Sequence, residues 1–206
     1  MRNTRRRNET RQRLIRAGLV VFAERGIAAT TIGEVAAQAD VVAGTFYNYF
    51  PAKADLVSAI VDELRTSIHL DGDAVRLLEG DPAGRVALAA LTLLERSRAE
   101  PGFGSCFGEF LRQERTLADH LRTIVQATLV EGVAHARFRV EPSMATTDAI
   151  LDLTAGALHR AAHTGADGPS GRGTAALLLA LLGLTPEAAE PVLLAAEVAH
   201  ASRRAR

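Results

Sequence analysis

Tryptophan is absent from this 206-residue chain, tyrosine occurs twice, and a single lysine and a single cysteine are present. One cysteine, Cys106, cannot close an internal disulfide, which fits a reducing compartment. Net charge is zero, so no uniform excess of one sign draws the whole chain to nucleic acid or to a membrane surface. Long hydrophobic runs are missing too. The longest, from Thr174 to Leu184, falls well short of the roughly 20 residues that span a bilayer. The segment after the basic N-terminus has Arg16, Glu24 and Arg25 among its apolar residues and lacks the unbroken apolar core of a secretory signal. The expected address is cytoplasmic, with no membrane partner. Sustained period-two alternation is absent, which removes β architectures from consideration.

What remains is helical. Hydrophobic residues make up 48% and charged residues 23%, with Ala, Leu, Arg and Glu prominent, all good helix formers. The zero net charge hides an uneven distribution. Residues 1–56 hold eight arginines and Lys53 against Glu9, Glu24, Glu34, Asp40 and Asp55, so 9 − 5 = +4, and the rest carries −4. Basic charge at one end suits a DNA-binding head on a neutral-to-acidic body. Residues 1–8 are expected to be a disordered basic arm.

Periodicity predicts a first helix over about 9–25, with Leu14, Ala17, Gly18, Val21 and Phe22 on one stripe and Gly26 ending it. Thr30 and Thr31 are N-cap candidates for a short second helix, and Glu34 stands three residues after Thr31 as in a capping box. Asp40 suits a left-handed turn. A third helix is expected over about 42–50, stopped by Pro51, and a fourth from Lys53 with Leu56, Ile60 and Leu64 inside. Further helices are expected over 73–79, 84–100, 103–115, 117–139, 143–164, 174–183 and 186–201. A loop is expected through GADGPSGRG, and a frayed tail at Arg203, Arg204 and Arg206.

Two short helices joined by a tight turn suggest a helix-turn-helix. The stretch Thr30–Leu56, TTIGEVAAQADVVAGTFYNYFPAKADL, resembles the signature of TetR/AcrR-type regulators. It carries the core Gly44, Thr45, Phe46, Tyr47, Asn48, Tyr49, Phe50, followed by Lys53 and Leu56, and Phe22, Ala23, Glu24 and Gly26 match the end of the family's first helix. The resemblance implies an all-α fold, with a three-helix head over residues 1–55 and a helical effector-binding and dimerisation domain over 56–206. It also implies a homodimer on a double-stranded DNA operator. The outcome is most often repression, released by a small effector.

A helix entering the major groove needs small residues where its backbone nears the bases, which Ala43, Gly44 and Thr45 supply. Thr30, Thr31, Tyr47, Tyr49 and Lys53 are expected at phosphates, and Asn48 at a base or a phosphate. Phe46 and Phe50 are expected inside the head. Asp40 stands where the family usually has glycine. Val42 and Ala43 replace the usual polar or basic residue, so thymine methyl contacts or DNA shape are expected to carry specificity there.

In the body, Phe103, Cys106, Phe107 and Phe110 cluster after the Pro101-Gly102 break and are candidates for an apolar effector pocket. The helices at about 144–164 and 172–184 are the interface candidates, through Ile150, Leu151, Leu158, Leu177 and Leu181. His159 and His163, four apart, can face one metal, with Asp152 nearby, but no further ligand stands beside them, and no metal or cofactor is expected. Cys106 has no neighbouring base to activate it. GxSxG, P-loop and HExxH motifs are missing, and nothing assembles a nucleophile with a base, so no enzyme is expected. The alternative is a helical binding or scaffold protein that keeps the head but has no ligand switch.

Overall fold

The computed structural model describes residues 2–68, 78, 80–164 and 170–204, and among them the regular structure is helical. The expected helix over 73–79 and most of the GADGPSGRG loop lie outside the described residues. The head comprises α1 (Arg2–Arg25), α2 (Ile32–Gln38), α3 (Ala43–Tyr47) and the start of α4 (Lys53–Ile68). The body follows with α5 (Pro82–Ala99), α6 (Phe103–Gln113), α7 (Arg115–Ala134), α8 (Met144–Thr164), α9 (Gly171–Leu181) and α10 (Pro186–Arg204).

Several boundaries differ from expectation, each for a local reason. Helix α1 begins at Arg2, so the segment expected to be a disordered arm is helical. Asp81 caps α5 by accepting from the Ala83 N–H at 3.1 Å, with Pro82 at the first helical position, so the helix starts ahead of the expected Gly84. Helix α7 stops at Ala134 rather than 139. Ala136 takes a left-handed φ of 54° and turns the chain so that the Phe138 ring lies on Gly132, where a β-carbon would overlap the ring. Ser170 caps α9, accepting from the Gly173 N–H at 2.9 Å, so the glycines expected to stay in the loop open the helix. Helix α10 continues to Arg204, and Arg203 donates to the Thr92 hydroxyl at 3.2 Å, so the expected frayed tail is helical that far.

Two apolar clusters hold these helices. One runs from Leu14, Phe22 and Phe46 in the head through Leu56, Ile60 and Leu64 of α4 to Phe103, Phe107, Phe110, Leu121 and Leu158 in the body. Helix α4 therefore belongs to both parts, and apolar packing is continuous across residues 55 and 56. The second cluster joins α5, α9 and α10 through Leu88, Leu91, Leu178, Leu182 and Leu193, with Leu129 and Phe138. Burying a leucine or phenylalanine side chain contributes about 1.5–3 kcal/mol, so these clusters dominate the fold's stabilisation.

Head and body also meet backbone to backbone. Gly102 caps α6 with φ 82°, and a β-carbon there would lie 2.5 Å from the Leu19 carbonyl oxygen of α1. One turn on, the Cys106 thiol donates to that same oxygen at 2.8 Å. Cys106 is fully buried, and burial pushes its thiol up to about 12. It is a buried structural donor at the head–body seam, where burial disfavours the thiolate that redox chemistry needs.

Candidate nucleic-acid interface

Helix α2 is fixed at its start by the expected capping box. Thr31 Oγ1 accepts from the Glu34 N–H at 3.3 Å, and a Glu34 carboxylate oxygen accepts from the Thr31 N–H at 2.8 Å. The bond from the Thr31 N–H, and next the one that the Thr31 hydroxyl donates to the same carboxylate at 2.9 Å, hold the Glu34 carboxyl below its ordinary value. After Ala39 the chain turns through Asp40 at φ 52°, the left-handed conformation expected there. Arg13 of α1 clamps the turn. Its guanidinium donates to the Ala39 carbonyl at 2.7 Å and to the Asp40 carbonyl at 2.9 Å. Sequence spacing gives no sign of this residue, because the contact joins α1 to a turn beyond the end of α2.

The turn delivers α3, preceded by Val42 in extended conformation. Phe46 and Phe50 point inward, their rings 5.6 Å apart, as expected. The opposite face is open. Val42 is 74% and Tyr47 55% exposed, and Ala43, Gly44 and Asn48 are exposed beside them. Thr45 and Tyr49 are half-buried at its edges. A β-carbon on Gly44 would meet nothing within 4 Å, so the protein's own packing sets no requirement for glycine there.

Two residues expected at phosphates are placed elsewhere. Thr30 is buried, its hydroxyl donating to the Gly26 carbonyl at 2.8 Å, so it faces the head's interior. The Lys53 ammonium donates to the carbonyls of Ile27 at 2.8 Å, Ala28 at 3.2 Å and Thr30 at 2.8 Å. Three donors meet three acceptors, so the only lysine clamps the α1–α2 connection and keeps no free N–H for a phosphate. Lys53→Ala is expected to lower unfolding stability by about 1–3 kcal/mol, because it leaves half-buried carbonyls without their charged partner. Denaturant titration checks this. Unchanged stability, with a DNA salt slope shallower by about one unit, would restore the phosphate role.

The body holds a cavity of about 300 Å³ bounded by α5 to α9. Of the four residues expected to line a pocket, Phe107 alone reaches it, while Cys106 and Phe110 are packed in the core toward α1 and Phe103 lies in the core under the Arg96 guanidinium. Ile150 and Leu151, expected at a dimer interface, line the cavity instead. Its walls are otherwise apolar apart from Arg85, Thr128 and Thr154. Leu158 is fully buried beside α5 and α6, its carbonyl accepting from the Ser97 hydroxyl at 2.7 Å, and is likewise no surface residue. Leu177 is 62% and Leu181 37% exposed on α9, and Leu194 and Val198 are 51% and 64% exposed on α10. The apolar strip thus lies on the last two described helices, with α10 in the place expected of α8. The helices before and after α9 are both rich in apolar residues, and periodicity alone does not choose between them. Arg172 ties α9 to α10 through Glu190 at 2.7 Å and Glu197 at 2.8 Å.

His159 and His163 stack with ring centroids 4.4 Å apart on α8. Among the described residues no three metal-ligating side chains gather, with or without Asp152. No described helix is long and apolar enough to cross a membrane.

Residues 14–60 match the family model described as bacterial regulatory proteins, tetR family. The match covers the helix-turn-helix segment, less than a quarter of the chain, and this segment is similar to the DNA-binding head of TetR-family regulators. The chain is 40% identical over 77 residues to the HTH-type transcriptional regulator TtgR of Pseudomonas putida, covering 37% of each chain. It is 31% identical over 93 residues to the HTH-type transcriptional regulator AcrR of Shigella flexneri, covering 45% of this chain and 43% of that one. The matched segments thus span about two fifths of these relatives' length. The likeness to solved structures covers more. A crystal structure of RolR in complex with the ligand resorcinol matches with TM-score 0.54 and 27% identity over 92% of this chain and 95% of that one. A HlyIIR variant matches with TM-score 0.65 and 18% identity over 87% and 98%, which supports the fold of head and body together.

Proposed function

We propose that this chain is a sequence-specific DNA-binding transcriptional regulator, a repressor that acts as a twofold dimer and leaves its operator when a small effector enters the body cavity. The observation that carries the reading is the outer face of α3. Val42, Ala43 and Gly44 are exposed, Tyr47 is exposed although its ring stands edge-on to Phe46 at 5.7 Å, and Gly44 has open space where a side chain would stand. Such a face lets a helix backbone approach base edges closely. In this reading Ala43 and Gly44 permit the approach and the Val42 methyls meet thymine methyls. Thr45, Tyr47 and Asn48 contact bases or phosphates, and Thr31 and Tyr49 flank them at phosphates.

The cavity suits an uncharged effector. Arg85 donates to Glu131 and to the Gly80 carbonyl, so its charge is already met. Thr128 and Thr154 donate to carbonyls one turn back in their own helices at 2.9 and 2.8 Å, which leaves their oxygens as acceptors. A compact, largely apolar molecule with a hydroxyl donor answers that chemistry, and the resorcinol bound to RolR is of this kind.

Selection of bound duplexes from random DNA tests the reading. Enrichment of a near-palindromic site supports a twofold reader, and the enriched duplex then serves to screen uncharged phenols and alcohols for release. A folded protein that enriches nothing favours the scaffold alternative. Gly44→Ala separates fold from function. Stability is expected to hold or rise by up to about 1 kcal/mol, since alanine is the better helix former. Affinity for the selected duplex is expected to fall at least tenfold, because a methyl group stands in the way of close approach. Unchanged affinity would take α3 out of the groove.

A further inference from the structure

Helix α1 begins at Arg2, well ahead of Leu14, where the family match begins. The segment 1–13 carries six arginines against Glu9, so 6 − 1 = +5 in a chain of net charge zero. Two contacts fix how this extension is turned. Arg13 donates to the Ala39 and Asp40 carbonyls, just before α3, and the Arg11 guanidinium lies 5.4 Å over the Phe50 ring, just after it. The side of α1 between Arg11 and Arg13 therefore faces the helix-turn-helix.

Helical geometry carries that orientation outward. At about 100° per residue, Arg6 lies within about 20° of the Arg13 stripe and Arg7 within about 40° of the Arg11 stripe. Arg6 stands about 10 Å beyond Arg13 and Arg7 about 6 Å beyond Arg11, at about 1.5 Å per residue. They straddle the side of α1 that faces α2 and α3. Both are exposed, and neither has a charged partner among the described residues. Arg5 is different. It pairs along its own helix with Glu9 at 3.0 Å.

We infer that Arg6 and Arg7 form a second DNA grip, placed on a helical extension of α1 so that they bind phosphates outside the base pairs covered by α3. The inference rests on the DNA-binding reading above but not on base recognition, since phosphate contacts are sequence-independent. Guanidinium groups suit this task because they stay charged and present forked donors to phosphate oxygens. The extension lengthens the footprint of each head without adding to the sequence that is read.

The test compares the full chain with Arg6→Gln/Arg7→Gln and with Arg5→Gln, on the selected duplex and on a mixed-sequence duplex of equal length, across a range of salt concentrations. Glutamine keeps helix propensity, and circular dichroism confirms that helix content is unchanged. Each lost phosphate contact makes the slope of log affinity against log salt shallower by about 0.9. The double variant is expected to lose nearly two units per head on both duplexes, with its base preference intact, while Arg5→Gln behaves as the parent. Trimming the duplex ends is expected to weaken the parent and leave the double variant unaffected. An unchanged slope, or an equal loss in Arg5→Gln, would overturn the inference. If the parent enriches no site yet binds the mixed duplex with a slope that the double variant flattens, the grip stands and the reading of sequence-specific regulation falls. A parent that binds neither duplex overturns both.

Discussion

Gly102→Ala is expected to cost about 2–6 kcal/mol of unfolding stability, the largest single-residue effect at the head–body seam. Two independent costs combine there. A non-glycine residue held in the left-handed region costs about 1–3 kcal/mol. A methyl group 2.5 Å from the Leu19 carbonyl oxygen overlaps backbone that cannot rotate away, and such overpacking costs about 1–3 kcal/mol. Relief requires α6 to move off α1, which also lengthens the 2.8 Å bond from the Cys106 thiol to the same oxygen. For a chain of this size, at about 2–4 °C per kcal/mol, the thermal midpoint is expected to fall by roughly 4–24 °C. Gly80 provides the control. It has φ 75°, but a β-carbon there meets nothing within 4 Å. Gly80→Ala therefore reports the backbone cost alone. If the two variants lose equal stability in denaturant titrations, the close approach of α6 to α1 contributes nothing, and the seam is looser than described.

Local chemistry is legible in this sequence, and the contacts that build the seam are not. Capping needs only near neighbours, so Thr31 with Glu34 is readable at a spacing of three, and so is the left-handed turn at Asp40. The inward pair Phe46 and Phe50 follows from helical spacing in the same way. Lys53 is illegible by contrast, because its partners, the carbonyls of Ile27, Ala28 and Thr30, are backbone atoms on the far side of α2 and α3 in sequence. No side-chain pattern marks a carbonyl that needs a donor. The aromatic cluster at Phe103–Phe110 reads as buried, and it is, but burial against α1 and burial around a cavity look alike in one dimension. Only Phe107 of these aromatics lies on the cavity side of α6. Leucines are equally ambiguous. Leu178 and Leu182 are core, whereas Leu177 and Leu181, one position earlier on the same helix, are exposed. The hydrophobic stripe of α9 is broad enough to serve two surfaces, and only the position of α5 says which residues fill which.

That broad stripe sets the second large expectation. Leu177→Glu combined with Leu194→Glu is expected to convert a dimer to a monomer, and to lower affinity for the selected duplex on the order of a hundredfold or more. Among the large apolar residues the structure leaves exposed, Leu177, Leu181, Leu194 and Val198 share the adjoining helices α9 and α10. Two helices from each protomer, crossed about a twofold axis, would bury this strip against its own copy, since an isologous interface joins a patch to itself. Glutamate at either central position would bring like charges together across the axis and bury carboxylates without partners. The fold of the monomer is expected to survive, because both leucines point away from the second cluster, and its denaturation midpoint serves as the check. Loss of DNA affinity follows from linkage. When one head binds, the dimer holds the second at high effective concentration, and that gain is on the order of 10²–10⁴-fold. Val130→Glu is the comparison, since Val130 is 51% exposed on α7, away from the strip. Light scattering that finds the double variant still dimeric would move the interface off α9 and α10, and dissociation by Val130→Glu would place it on α7. A monomer that retains full affinity would mean that each head binds alone, and the twofold spacing of recognition helices would then have no part in reading the operator.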